Sequence, residues 1–506
     1  MNQVPPMYRS SGATAAERYL KKLCDRSFLS LWSYSGVYRD QGKVGKAGDG
    51  KEICDLLVVF QNHILIFSDK DCVFPDTGNL ELDWARWFRR AIQKSAAQLW
   101  GAERWIKSYP DRLFLDPGCT QKFPLNLPDP ATAQFHRILV AHGVSGRCRK
   151  ELGGSGSLMI WPDVVGNQHV KSIEAGGRPF AVGQIDKSKG YIHIFDDTSL
   201  GIVMQALDTI TDFASYLTKK EKFIQGGRLA SAAGEEELLA YYLGTLDDKK
   251  EHDFVVPPKI DFISLDEGLW EEWATSDRRK LQLQENEISY SWDLLLENFF
   301  HHVFAGTSLK ISHPTLADQD TLFRLFARED RTRRRLLAKS IHEIIFKTPL
   351  SLRGTRVVLP SNPGDPYYVF LVLPHPEYAS YEDYRAVRYE LLECLCRVVK
   401  FKFPNAEDIL GIATETGNAE NRSEDAVYLD ARDWTEELQA EAQSLHEELR
   451  LLSDTKMFKD TIKEFPDLPP KQGRVMKMPS IQPKGRERNN LCPCGSGKKY
   501  KKCCTA

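Results

Sequence analysis

The chain has 506 residues, 42% hydrophobic and 27% charged, with 68 Lys and Arg against 70 Asp and Glu. These ordinary globular values exclude wholesale disorder, a collagen-like fibre and a small disulfide scaffold, and at about 100 to 200 residues per domain the length predicts two to four domains. The balanced charge singles out no partner, so any preference for nucleic acid or membrane must come from local patches.

No apolar run approaches the roughly 20 residues that span a bilayer, and Met1 to Ala15 lacks the apolar core of a signal peptide. A cytoplasmic protein without membrane contact is expected. Of the eleven cysteines, Cys24, Cys54, Cys72, Cys119, Cys148, Cys394 and Cys396 are scattered, and read as free thiols in a reducing compartment.

Residues 14 to 30 have the 3.6 period of a helix through Ala15, Tyr19, Leu20, Leu23 and Phe28. Ile53 to Phe60 is an apolar run broken by Asp55, and Gln61-Asn62-His63 turns it into Ile64 to Phe67, a pattern of central strands. Leu82 to Lys107 predicts a long amphipathic helix with Arg86, Arg90, Lys94 and Gln98 on a stripe opposite its apolar face. Strands are expected at 31–37, 112–115 and 136–140, and a Gly, Ser and Arg-rich loop over 143–157.

Beyond it come strands near 180–182 and 191–195, helices over 207–217 and 235–243, and a mainly helical stretch from 257 to 346. A last block has strands at 356–359 and 367–373, a helix over 381–399 and a charged helix over 435–452 suited to packing or a partner contact. From Pro466 to Asn490 the composition is that of a tether. Between Lys471 and Ala506 there are ten Lys and Arg and one acid, Glu487.

Cys492-Pro493-Cys494 is followed after eight residues by Cys503-Cys504, with Gly495-Ser496-Gly497 between. Four thiolates in so short a loop suit tetrahedral Zn2+, and the glycines permit tight turns that aim amides at sulfur. Residues 491–506 are too few to bury a core, so metal binding would supply their folding energy. The segment closely resembles the SEC-C motif, a small zinc knuckle named from the C-terminus of the protein-secretion ATPase. A closed four-cysteine site has no open coordination position, which implies structure and recognition rather than catalysis. By that resemblance it contacts a protein partner, and the surrounding Lys498, Lys499, Lys501 and Lys502 equally suit nucleic acid.

At the other end, Asp55 inside an apolar strand needs a partner or a metal. Lys70 in Ser68-Asp69-Lys70 is the nearest candidate, and a buried Asp55–Lys70 pair is the purely architectural reading. This block resembles the PD-(D/E)xK, or restriction-endonuclease-like, nuclease superfamily, whose αβββαβ core groups strand acids, a lysine and often a helix glutamate around Mg2+. The resemblance implies Glu17, Asp55 and Asp69 as ligands of Mg2+ or Mn2+, Lys70 at the attacking water or phosphate, and Gln98 on the helix facing the site. Ser68 stands where the family has an acid. Either a bulge turns Asp69 inwards, Glu52 or Asp71 substitutes, or the domain only binds.

Other groups are set aside. The basic run Arg324 to Lys339 reads first as a solvated helix face and second as a phosphate contact. His301, His302, His313 and His342 lack metal-site spacing, Gly153 to Gly156 lack the Lys-Ser/Thr of a P-loop, and Cys394 and Cys396 read as core.

The expected fold is α/β and α+β, multidomain: a restriction-endonuclease-like domain over 1–145, an α+β domain over 146–256, a helical region over 257–350, an α/β domain over 351–455, a basic linker over 456–490 and a zinc knuckle over 491–506. The leading function is a metal-dependent nuclease, a hydrolase of phosphodiester bonds in DNA or RNA, recruited through its zinc tail. The alternatives are a non-catalytic zinc-dependent adaptor on a degenerate nuclease-like scaffold and a nucleic-acid-binding protein.

Overall fold

The structure, a computed structural model, describes residues 11–12, 14–41, 50–305, 316–376, 380–417, 422–458 and 462–467. Helix α1 (Ala15–Phe28) starts at a capping box: the Glu17 N–H donates to Thr14 Oγ1 at 3.1 Å and the Thr14 N–H to Glu17 Oε2 at 3.4 Å. Its apolar residues Leu20, Leu23, Cys24 and Phe28 are buried, and it lies on a sheet begun by β1 (Ser33–Arg39), β2 (Lys51–Phe60) and β3 (His63–Asp71).

These three strands are antiparallel, and β2 passes to β3 through Gln61 and Asn62. A parallel neighbour then requires a crossover. It is made by α2 (Leu80–Phe88), a π turn over Arg89–Gln93, α3 (Lys94–Ser108) and the short β4 (Leu113–Phe114). Strand β5 (Gln134–His142) follows, parallel to β3. Ile64 to Phe67 and Ile138 to Ala141 are fully buried, as continuous apolar runs require.

The chain continues through α4 (Ser145–Leu152), β6 (Met159–Val165), β7 (Ala181–Gln184) and β8 (Ile192–Asp196). Next come α5 (Ser199–Ala206), α6 (Ile210–Gln225), β9 (Leu229–Ala232), α7 (Glu235–Gly244) and β10 (Ile263–Leu265). Strand β8 joins the first sheet, giving the order β4-β1-β2-β3-β5-β8, so this sheet continues past the boundary expected at residue 145. A second sheet has the order β10-β9-β6-β7.

Two differences from the sequence reading lie here. The expected loop over 143–157 contains α4, whose start has no side-chain cap from Val144; the distant Asp197 carboxylate accepts the Gly143 and Ser145 N–H groups instead. Strand β6 escaped notice because it contains Pro162, which a strand tolerates where pairing breaks. Its pairing with β7 is irregular between Ile160 and Val165.

Helices α8 (Leu269–Thr275), α9 (Asp277–Asn286), α10 (Tyr290–Ala305), α11 (Leu316–Ala327) and α12 (Arg331–Lys347) form the expected helical stretch. Then come β11 (Gly354–Val358), β12 (Tyr367–Leu373), α13 (Tyr381–Lys402), β13 (Asp408–Glu415), β14 (Asp425–Asp430) and α14 (Glu436–Glu448). The third sheet has the order β11-β12-β13-β14, with β12 and β13 parallel across α13. Helix α14 lies on α13, with Ala442 buried.

The basic run before and within α12 is not a solvated face. Arg331 pairs with Asp208 at 2.8 Å and Asp293 at 2.7 Å, and Arg334, fully buried, pairs with Asp293 at 2.7 Å. Arg335 is buried and donates to the Lys463 carbonyl.

The chain is thus a mixed α/β protein with three sheets among the described residues. Met1–Phe465 forms one compact unit and Pro466–Ala506 another. Among the described residues no helix is long and apolar enough to cross a membrane. The seven scattered cysteines are free thiols, and Cys396 is buried in the core beneath α13.

Candidate active site

The acids gather where β2 and β3 part, beyond their last paired residues Leu56 and Phe67. The pairing of β1 with β2 sets Val37 against Cys54 but Tyr38 against Glu52, leaving Ile53 as an extra residue. Such a bulge breaks the alternation of faces and re-aims the side chains beyond it. Glu52, which strict alternation places opposite to Asp55, comes under its influence.

Partial burial of the Glu52 carboxyl, then the nearby Asp55 and Glu17 charges, pushes it up to about 7. Burial likewise pushes Asp55 up to about 6, helped by Asp69 and Glu17 and opposed by hydrogen bonds from the Asp69 amide and the Ser68 side chain. The Asp69 N–H donates to Asp55 Oδ2 at 2.6 Å. Glu17, Glu52 and Asp55 therefore form one electrostatic cluster.

The expected members of the site take different places. Lys70 is half-buried and makes no ion pair among the described residues, so the architectural Asp55–Lys70 pair is not formed. Asp69 contributes its amide to Asp55, while its carboxylate is held by His142, with Nε2 at 2.8 Å from Oδ1. His142 Nδ1 lies 2.9 Å from Asp197 Oδ1. Hydrogen bonds to Asp197 and then Asp69 push His142 up to about 10, so the ring is an imidazolium at neutral pH.

Gly143 makes this grouping possible. Its φ is 86°, and a Cβ there would stand 2.3 Å from the Cys72 carbonyl, so only glycine lets the chain turn after His142 towards Asp197.

Beside the acids lies a cavity of about 670 Å³ lined by Glu52, Arg39, Lys51, Lys94, Gln98 and Arg104, with Trp105 and Tyr109 at its wall. It brings Gln98 and Lys94 of α3 to the same cavity as Glu52. Arg39 stacks on Trp105 at 4.5 Å. The site thus offers carboxylates to a cation and cationic side chains to a phosphate.

Among the described residues no three His, Cys, Asp or Glu side chains converge closely enough to hold a metal ion as they stand. What speaks for a cation is the chemistry of the donors, neighbouring carboxyls whose proton affinity is raised by burial and by nearby acids, Asp55 and Glu17 for Glu52 and Asp69 and Glu17 for Asp55. Cys492, Cys494, Cys503 and Cys504 lie outside the described residues. Of the histidines set aside, His301 and His302 are exposed and His342 is half-buried, while His313 is also outside the described residues. Sequence reasoning missed His142 and Asp197; the one signal was a histidine directly followed by glycine at the end of an apolar strand.

Comparison with known proteins bears on the C-terminus. Over 87 residues the chain is 42% identical to protein translocase subunit SecA of Thermodesulfovibrio yellowstonii, a match covering 14% of this chain and 10% of that protein. Over 32 residues it is 59% identical to the SecA subunit of Alkaliphilus oremlandii, covering 6% and 4%. The chain therefore spans a tenth or less of the length of these curated relatives. No solved structure matches it. Residues 488–504 match the SEC-C family model, so the chain carries a SEC-C motif at its C-terminus.

Proposed function

We propose that the chain is a metal-dependent phosphodiesterase of nuclease type, with the SEC-C segment as its recruitment module. The observation that carries this reading is the pair of neighbouring carboxyls Glu52 and Asp55, both raised chiefly by burial, with Glu52 lining a cavity that four basic side chains also line. Further support comes from the order α1, antiparallel β1-β2-β3, helical crossover and parallel β5, the sequence of elements in the αβββαβ core that the resemblance implies.

In this reading Asp55, Glu52 and Glu17 hold Mg2+ or Mn2+, with Glu52 in the place left by Ser68. The cation, when bound, supplies Lewis-acid stabilisation of charge on the phosphate. Lys70, free of a carboxylate partner among the described residues, donates to the phosphate or orients the attacking water. Gln98 and Lys94 fix the substrate from α3. Asp69 is removed from the ligand set by His142 and acts through its amide, which orients the Asp55 carboxylate. Cys492, Cys494, Cys503 and Cys504 would hold a structural Zn2+.

The test is cleavage of labelled single- and double-stranded DNA and RNA in Mg2+ and Mn2+. Asp55→Asn, Glu52→Gln and Lys70→Ala should each abolish cutting with the fold intact; cutting that survives in all three sinks the assignment. The commitment of Asp69 to His142, together with Ser68, favours a second reading, an adaptor that binds without cutting. Absence of cleavage in the wild-type protein on every substrate is the result it expects.

A further inference from the structure

The helix that crosses from β3 to β5 bears, besides Lys94, cations that the acid cluster does not use. Arg86, Arg89 and Arg90 are exposed and, with Pro75, line a second cavity of about 570 Å³. Lys94 and Arg104, also exposed, line the first. The π turn connects the two. The Lys94 N–H donates to the Arg89 carbonyl, an i to i+5 bond that sets Lys94 beneath Arg89, and such turns are frequent at functional sites. From Arg86 to Arg104 the ridge is about 27 Å long at 1.5 Å per residue.

No acid occurs between Trp84 and Ala102. The two acids at the start of α2 are occupied elsewhere, Glu81 by the Ile173 N–H and Asp83 by Thr77. Among the described residues Arg86, Arg89 and Lys94 form no ion pair, and Arg90 donates to the Val73 carbonyl at 2.7 Å. Structural cations in this fold are treated otherwise: Arg331 and Arg334 are buried against Asp208 and Asp293. Like charges a turn apart oppose helix formation, so an uncompensated row is a cost that an anionic ligand offsets. At its far end Trp105 and the exposed Tyr109, with ring centroids 4.6 Å apart, hold Arg39 and Arg112 over their faces, which carries the row of cations on to the end of the helix.

We propose that this ridge binds the phosphate backbone of a single-stranded nucleic acid, running from the Arg86–Arg90 cavity past Lys94 to the Trp105–Tyr109 pair. Both cavities suit nucleotides rather than the body of a duplex. The proposal extends the nuclease reading, because the path passes the Glu52 carboxyl, but binding on the ridge requires no cleavage.

The experiment is fluorescence anisotropy of the full chain with labelled single strands and duplexes of about 20 nucleotides, without added Mg2+ or Mn2+ and across a salt series. Cutting in Mg2+ is read separately, so the failure of one idea is not mistaken for the failure of the other. The wild type should prefer the single strand. Arg86→Glu/Arg89→Glu/Arg90→Glu should weaken binding at least about tenfold near 0.1 M salt and make the slope of log K against log salt shallower by about 2, the three lost phosphate contacts at about 0.7 each.

A second variant, Lys498→Gln/Lys499→Gln/Lys501→Gln/Lys502→Gln, measures what the tail contributes. Unchanged affinity and slope in the ridge variant, with its circular dichroism melt intact, overturns the proposal. So does tighter binding of the duplex than of the single strand.

Discussion

Asp55 asks for a partner because ionising it within an apolar strand costs free energy, and what it finds is a backbone amide and a hydroxyl rather than a lysine. That leaves its charge and the Glu52 charge uncompensated. A carboxyl whose folded pKa lies above its unfolded one binds its proton more tightly when folded, so stability falls as pH rises through the gap, here from about 4.5 to about 7 for Glu52. At this exposed position screening limits the effect to about 1 kcal/mol. A divalent cation reverses the sign by favouring the ionised pair. Mg2+ or Mn2+ should therefore raise Tm little near pH 5 and most near pH 8, and Glu52→Gln should flatten that dependence. A cation effect equal at both pH values would exclude the pair as ligands.

His142 works in the opposite sense. Its folded pKa is raised, so its stabilisation is complete below the ordinary value of 6.5 and is lost as pH rises through about 10. His142→Ala should cost roughly 2–4 kcal/mol, because it leaves Asp69 and Asp197 without their shared cation. Urea unfolding at pH 7 measures this, and a cost that persisted above pH 10 would refute the imidazolium. That Asp55 stands in a largely buried strand was legible from residue type and position. His142 was not, because its partners lie 73 and 55 residues away and only the fold brings them to one place.

At the scale of elements, periodicity served well where each side of a helix has one kind of environment. Helix α1, the β2-β3 turn and the stripe on α2 and α3 follow from local pattern alone. It failed for α12, whose arginines follow the pattern of a solvated face but meet acids from α10 and from Asp208, ahead of α6. A charge count in a window cannot see partners supplied by other elements. Arg334 has no exposed surface and donates to Asp293, the Glu329 carbonyl and the Ala327 carbonyl. Arg334→Ala should destabilise by about 3–5 kcal/mol, because it breaks a buried ion-pair network, leaves Asp293 to Arg331 alone and deprives the Glu329 and Ala327 carbonyls of their donor. A single variant within about 1 kcal/mol of wild type in urea unfolding would show that the network carries little stability. Helix α4 was missed for a related reason, since its cap comes from Asp197 rather than from a neighbouring residue.

At the scale of the whole molecule, the chain divides into two units. The first, Met1–Phe465, has a continuous apolar core running from α1 through the helical stretch to β12. Its first sheet recruits β8 from beyond the expected boundary, which a loop-rich sequence around residue 150 conceals. In the second unit the sequence has four cysteines and, from Lys471 on, ten basic residues with few apolar ones, which implies a fold conditional on metal. Two consequences separate the units. Metal analysis of the full chain should find about one zinc per chain, lost in Cys492→Ser/Cys494→Ser. Chelation should leave the Tm of the larger unit unchanged, because its stability comes from buried apolar surface rather than from zinc. Zinc retained in the double variant would exclude these cysteines as its ligands, and a melt of the larger unit that shifted on chelation would mean that the two units are coupled.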